Sequence, residues 1–299
     1  MLSLPARILR AYLRTRLRGR TRLTFLVARN VRSLQAVPIQ FGDCRPAYVD
    51  LRDGQAHGLL RGHPWPHAPW EVAEQEVMRS VVSLGQMVLD IGANLGLHSV
   101  LLSKLVGLTG RLHAFEPNPA LLATLRLTIA GLGNATLHPF ALSSRAGTAT
   151  FFVPADHQKG SLADWLEPFG GSATPVACEQ RRLDDLVRDG TVPQPDFIKC
   201  DVEGAELLVF EGARSTLDRR DAPIVLFEAN AYNARGFGFS LLDARDFLRA
   251  LSLPHYHFFE VLEAGGCLPL HTVRTQHLNI LAVPDSKRQQ FPKPADLRA

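Results

Sequence analysis

Asp90, Gly92, Asn94 and Gly96 occupy alternate positions in the stretch at 86–99, Q-M-V-L-D-I-G-A-N-L-G-L-H-S. A carboxylate, two positions without a Cβ and a carboxamide at that spacing suit a ligand whose polar end approaches the backbone closely. Met87, Val88, Leu89 and Ile91 form the short apolar run of a strand buried on both faces, and the glycine-spaced turn follows at once. The order strand, tight turn, helix places Asp90 at the C-terminal strand edge, where open α/β sheets bind ligands. A second strand, 111–115, ends at Glu116, whose carboxylate can accept hydrogen bonds from both hydroxyls of a ribose. The combination specifies a nucleoside-type cofactor site; the plain alternative is a glycine turn in an α/β core with an exposed glutamate.

The turn departs from the dinucleotide fingerprint G-x-G-x-x-G, whose middle glycine lets the backbone meet a pyrophosphate. Asn94 stands at that position, giving D-x-G-x-N-x-G. A polar side chain there suits a cofactor without a pyrophosphate, such as S-adenosyl-L-methionine, with Asp90 facing its ammonium directly or through water. Glu116 alone is common to nicotinamide and adenosylmethionine sites. Ala141, with Leu142 and Ser143, follows the third strand at the sheet edge, where an adenine ring could rest.

Transfer of a methyl group from a sulfonium needs an acceptor in line with the leaving sulfur, and an acceptor that must lose a proton needs a base within hydrogen-bond reach. The fourth strand, 197–201, ends at Asp201 and runs into V-E-G-A-E. In a doubly wound sheet the winding reverses after three strands, so this strand lies beside the first and brings Asp201 next to the Asp90 turn, with Lys199 alternating around it. Asp201 is the first candidate base and Glu203 the second. Their structural alternatives are ordering of the strand end and stabilisation of the next helix N-terminus. Glu228, ending a fifth strand at 224–228, shares the rim, and Asp201, Glu203 and Glu228 leave a divalent metal open.

These residues need a scaffold, and the pattern supplies most of it. Helices are expected at 71–84, with Val72, Val77, Val81 and Leu84 inward, and at 95–106, 120–132 and 240–251. Further strands are expected at 136–140, 148–153, 255–261 and 278–283, with a short helical turn at 182–187. A hairpin with an Asp53-Gly54 turn is expected within 37–61. The Pro- and Trp-rich 63–70 reads as a linker or a lid, and His63 and His67 lack the helix that would bring them to one metal. The polar, Gly-rich 156–174, with His157, Lys159, Ser161 and Trp165, reads as a substrate loop. The resulting domains are an arm at 1–35, a hairpin and connector at 36–70, a catalytic domain at 71–283 and a disordered tail at 284–299.

With 299 residues, 46% of them hydrophobic, the chain can bury a full core. Its four cysteines have neither zinc nor disulfide spacing, and no apolar run is long enough to cross a bilayer, so a reduced cytoplasmic setting is the expectation. Residues 1–33 hold nine Arg and no Lys, Asp or Glu; against an overall charge of +4, the remaining residues carry a net −5. Leu9, Leu13 and Leu17 recur every four residues beside Arg7, Arg10, Arg14 and Arg18, describing a basic amphipathic helix. It could dock on its own domain, on a partner, on nucleic acid or peripherally on an anionic membrane.

V-L-D-I-G-A-N-L-G-L-H-S at 88–99, F-E-P-N-P at 115–119, R-L-D-D-L at 182–186 and F-I-K-C-D-V-E-G-A-E at 197–206 together resemble the FkbM family of adenosylmethionine-dependent methyltransferases. The resemblance spans about 70–283, and D-V-E-G-A-E is its most specific part. It implies a Rossmann-like class I methyltransferase fold: a mixed seven-stranded sheet whose last strand is antiparallel, with helices on both faces. It adds Asn118 to the cofactor residues and implies O-methylation of a sugar, glycan or natural-product hydroxyl. Cys200 departs slightly from a strand position that is often aliphatic in the family, and the arm lies outside the resemblance. The competing readings are an RNA methyltransferase using the arm, a nicotinamide oxidoreductase and a non-catalytic binding module with the cofactor fold.

Overall fold

The computed structural model describes residues 2–15, 17–62, 69–154, 159–164, 171–263, 265–273 and 275–290. The arm forms α1 (Leu4–Leu13) and α2 (Arg20–Asn30). Ser3 caps the first of these, its hydroxyl accepting from the Ala6 amide, and Pro5 sits in the first turn, where its missing N–H costs nothing. The inward stripe is Ala6, Leu9 and Leu13, while Leu17 is exposed beyond the helix end. The stripe docks on the arm's own domain, against Leu34, Leu59 and Leu60.

β1 (Val37–Ile39) and β2 (Ala47–Val49) pair as a small antiparallel ribbon. The expected hairpin around Asp53-Gly54 does not form; Gly54–Arg61 is helix α3. Ala56, Leu59 and Leu60 recur at helical spacing and are all buried, and Asp53 stands just before the helix, where aspartate favours initiation. Residues 63–68 of the Pro-rich connector lie outside the described residues. The next helix, α4 (Pro69–Val81), buries Ala73, Glu74, Val77, Met78 and Val81, so its inward face is turned from the expected one and leaves Val72 and Leu84 exposed.

The core then follows the strand and helix alternation. It runs β3 (Met87–Ile91), α5 (Leu97–Val106), β4 (Arg111–Phe115), α6 (Leu122–Ala130) and β5 (Ala135–His138). Three strands come next, β6 (Ala141–Leu142), β7 (Gly147–Pro154) and β8 (Ala173–Arg181). They form a separate sheet in the order β6-β8-β7. β8 was not expected, because the polar, Gly-rich loop before it masks its start; it takes the last residues assigned to the loop. His157 and Trp165 lie outside the described residues.

After α7 (Leu183–Arg188) come β9 (Phe197–Cys200), α8 (Glu206–Glu211), α9 (Arg214–Leu217) and β10 (Ile224–Asn230). The chain ends its core with α10 (Ala231–Arg235), α11 (Asp243–Arg249), β11 (Tyr256–Val261), β12 (Cys267–Pro269) and β13 (His277–Pro284). Asp184, from the R-L-D-D-L segment, is structural: its carboxylate accepts from the Ser215 and Thr216 amides and from the Thr216 hydroxyl at 2.8–2.9 Å, capping α9.

The main sheet has the order β12-β11-β13-β10-β9-β3-β4-β5. β3, β4, β5, β9 and β10 run parallel, and β13 inserts antiparallel between β10 and β11. The expected seven strands are present, and β12 adds an eighth at the edge; three residues closing on a proline carry no strand period to read. Alternation assigns the faces. Val88, Leu112, Phe197 and Leu226 meet α4, α5 and α6, while Leu89, Phe115, Ile198 and Phe227 meet α7, α8, α9 and α11. Nor is Pro284 the start of a disordered tail: it pairs with Tyr256, and a 3-10 helix (Asp285–Gln290) follows, held by Lys287 Nζ donating to the Asp196 carbonyl at 3.0 Å. Residues 291–299 lie outside the described residues. The four cysteines are unbridged, and no described helix is long and apolar enough to cross a membrane.

Candidate active site

Register builds the site. Ile91 lies opposite Phe115 on one side and Cys200 on the other, and Cys200 opposite Phe227. The next residue on each strand, Gly92, Glu116, Asp201 and Glu228, therefore falls on one C-terminal rim. A pocket opens there, lined by 91–95, Leu97, His98, 115–118, Leu121, 140–142, Lys199, 201–203 and Ala205. Phe151, Gly160 and Leu162 close it from the small sheet and the segment after it, and Leu59 and Glu71 close it from the N-terminal side.

Of the candidate cofactor residues, Gly92, Asn94, Glu116, Asn118 and Ala141 line this pocket. Gly92 has φ +82°, and a Cβ there would stand 1.9 Å from the Asp201 carbonyl oxygen. The two turns on the rim touch at that glycine. Asn94 takes a positive φ of 54°, and its amide donates to Glu116 Oε2 at 2.8 Å. Glu116 Oε1 accepts from the Asn118 amide at 2.9 Å. Each oxygen of Glu116 keeps a further acceptor site, so it can still hold ribose hydroxyls. Asp90 and Gly96 stand behind the wall. Asp90 is fully buried and accepts from the Ser99 hydroxyl at 2.5 Å, and Gly96 packs on α6, where a Cβ would come 2.8 Å from Leu125. Asp90 thus orders the turn from below, and its other oxygen, Oδ1, has no partner among the described residues.

At the other end of the pocket, Lys199 Nζ lies 3.0 Å from Asp201 Oδ2. Lys199 is buried, and although burial opposes its charge, Asp201, Asp90 and Glu74 hold its pKa above the usual lysine value. Asp201 keeps 34% of its side-chain surface open. Burial works against its ionisation, but the Lys199 charge and hydrogen bond win and hold it below the usual aspartate value. Glu203 is the reverse case: burial, then Glu228 and Asp201, raise it well above the carboxylate range. Its backbone is left-handed at φ 53°, its carbonyl accepts from the Ser161 hydroxyl at 2.8 Å, and its Oε2 accepts from Asn233 Nδ2 at 2.5 Å. The neighbouring turn is locked as well, because a Cβ on Gly204 would meet the Asn233 backbone at 2.5 Å.

The converging carboxylates are Asp201, Glu206 and Glu228, within 4.8 Å of one another, so Glu206 replaces the expected Glu203. Lys199 binds Asp201, the Val202 and Gly204 amides bind Glu206 Oε1, and His277 Nε2 lies 2.7 Å from Glu228 Oε1. Each carboxylate thus has a partner within the protein, while Glu228 Oε2 has none among the described residues, and burial and mutual repulsion raise Glu206 and Glu228.

Glu74 and His98 also face this region, and neither is marked by a recognisable motif of its own, although both carry a signal in the sequence. Glu74 falls on the stripe 74, 77, 78, 81 that α4 buries, and His98 belongs to the same L-G-L-H-S segment as the turn. Their side chains approach to 3.4 Å. Burial, aided by the Lys199 charge, takes His98 down to about 3, leaving a neutral imidazole. Burial pushes Glu74 up to about 8, with Lys199 opposing and Asp201 adding to the rise.

Glu206 is likewise pushed up to about 8 by burial, and Glu116 to about 7. Their folded pKa values exceed the unfolded ones, so the stability they contribute is complete below about pH 4.5 and is lost as pH rises through 7 to 8. Asp201 runs the opposite way, in a window below pH 3.8. The buried histidines His98 and His138 also run the opposite way, up to about pH 6.5. Stability from urea unfolding of the ligand-free protein should therefore fall from pH 6.5 to pH 8.5, on the order of a few kcal/mol, and Glu74→Gln should flatten the slope. A flat or rising stability would contradict these assignments.

Residues 90–253, more than half of the chain, match the family model described as the methyltransferase FkbM domain. The hexuronic acid methyltransferase AglP of Haloferax volcanii is 30% identical over 161 residues, 52% of this chain and 63% of that protein. The 2-O-methyltransferase NoeI of Sinorhizobium fredii is 29% identical over 164 residues, 48% of this chain and 65% of that protein. The methyltransferase sdnD of Sordaria araneosa is 34% identical over 157 residues, 42% of this chain and 59% of that protein. The chain thus spans less than two thirds of the length of these relatives.

Proposed function

The chain belongs to the FkbM methyltransferase family, and from that premise we propose that it transfers the methyl group of S-adenosyl-L-methionine to a hydroxyl of a sugar or glycan. One observation carries the reading: the cofactor-type cradle of Gly92, Asn94 and Glu116 and the charged pair of Lys199 and Asp201 open into the same pocket. The sugar part of the reading is supported by the names of two relatives, a hexuronic acid methyltransferase and a 2-O-methyltransferase.

The pocket fits this cofactor. Its wall at Phe140, Ala141 and Leu142 is apolar enough for an adenine ring, and Glu116 has acceptor sites to spare for a ribose. When bound, the cofactor supplies an electrophilic methyl on a sulfonium leaving group. The rest is positioning and proton handling. Asp201, ionised at neutral pH and partly open, accepts the proton of the acceptor hydroxyl as its oxygen attacks. Lys199 fixes the Asp201 carboxylate and keeps it charged. Glu203, whose ionisation burial and the neighbouring Glu228 and Asp201 oppose, shapes the wall through Asn233. Two neighbouring carboxylates whose surroundings push their pKa values apart take different roles, one as base and one as support of the wall.

The test is transfer of label from methyl-labelled S-adenosylmethionine to a panel of uronic-acid and neutral-sugar acceptors, with RNA alongside. The expected result is label on a sugar hydroxyl. Label on RNA alone, or on none of these while the cofactor still binds, would contradict the assignment.

A further inference from the structure

We propose that the outward surface of α1 and α2 docks the protein on an anionic lipid membrane. Both helices carry large apolar side chains on the side turned away from the fold. The inward sides are used in the fold, through Ala6, Leu9 and Leu13 on α1 and Thr24 and Ala28 on α2. The outward sides carry Leu4 and Ile8, 68% and 60% exposed, and Leu23 and Leu26 at nearly half exposure. A helix that faced only water on that side would carry polar residues there.

Arg7, Arg22 and Arg29 are exposed among these side chains, and the segment holds no acidic residue. Arginine guanidinium groups beside aliphatic side chains are what an interfacial helix presents to anionic headgroups and the acyl boundary. RNA would use the arginines but leave the leucines in water. The net −5 on the remaining residues orients the molecule, because an anionic surface repels that body and attracts the arm.

Arg14 Nε donates to the Arg61 carbonyl at 2.9 Å, and Leu59, Leu95 and Leu121 belong both to the arm's apolar cluster and to the pocket wall. The arm therefore shares an apolar cluster with one wall of the pocket. Docking would bring the pocket to acceptors that the membrane carries; that consequence rests on the methyl-transfer reading, whereas docking does not.

The test is co-sedimentation of the full chain, without cofactor or acceptor, with vesicles of phosphatidylcholine alone or with about one third phosphatidylglycerol. The protein should pellet with the anionic vesicles and stay in solution with the neutral ones. Ile8→Asp with Leu26→Asp should lower partitioning by about tenfold or more. Arg7→Gln with Arg22→Gln should lower it by roughly fivefold for each charge removed. Leu108→Asp, at an 88% exposed leucine on the catalytic body, should leave it unchanged. All these side chains point outward, and circular dichroism checks that each variant is folded. The proposal is overturned if the anionic vesicles do not pellet the protein, if both arm variants pellet like the parent, or if an RNA oligonucleotide binds where vesicles do not.

Discussion

Gly92→Ala is expected to abolish cofactor binding, with at least a hundredfold rise in the dissociation constant for S-adenosylhomocysteine. The added Cβ would stand 1.9 Å from the carbonyl oxygen of Asp201, a backbone atom that cannot rotate away, and φ is +82°. Relief requires the ends of β3 and β9 to separate, which moves the Asn94 amide off Glu116 and Asp201 off its place on the rim. A left-handed residue other than glycine and an overpacked contact together cost about 2–4 kcal/mol. Chemical denaturation should show that loss. Gly58→Ala, inside α3 with open space around its Cβ position, is the control and should be neutral or stabilising by about 1 kcal/mol. Near-normal binding by the Gly92 variant would mean that the contact between the two turns does not shape the site.

Asp201→Asn should reduce kcat by about 10²–10⁴-fold while leaving S-adenosylhomocysteine affinity within a few-fold. Asparagine keeps the size of the side chain and can still accept from Lys199, so the loss reports the missing base. Glu203→Gln is the paired comparison. Burial and the carboxylate neighbours oppose ionisation of Glu203, so glutamine keeps the size and the neutrality that these surroundings favour, and the rate should change only a few-fold. Single-turnover rates on an accepted glycan separate the two. Equal losses in both variants would return Asp201 to a structural role and leave the base unidentified.

The central sheet and its rim were legible because their signals are local and repeated. The buried run 87–91, the strand ending at Glu116 and the doubly wound rule were enough to bring Gly92, Glu116, Asp201 and Glu228 together. Asp90 shows the limit of that reasoning. Its position at the strand end was readable, but the Ser99 hydroxyl that turns it beneath the pocket belongs to the next helix, and strand position alone does not give side-chain direction. The exchange of Glu203 for Glu206 in the carboxylate cluster has a similar cause. Val202, Gly204 and Glu206 close a tight turn through side chain and backbone, and a left-handed glutamate at 203 is not a pattern that periodicity reveals. At Asp53-Gly54 a turn signature and a helix start use the same residue types, and the apolar spacing after it decided for helix α3. The small sheet was half legible: β7 reads as a strand, and its partner β8 begins inside a polar loop.

The most direct measurement is isothermal titration of the full chain with S-adenosylhomocysteine and, separately, with NADH. One S-adenosylhomocysteine site of micromolar affinity, lost in Gly92→Ala, is expected, with no heat from NADH. Binding of NADH in its place, or no binding of S-adenosylhomocysteine by folded protein, would contradict the assignment of the pocket and the methyl transfer built on it.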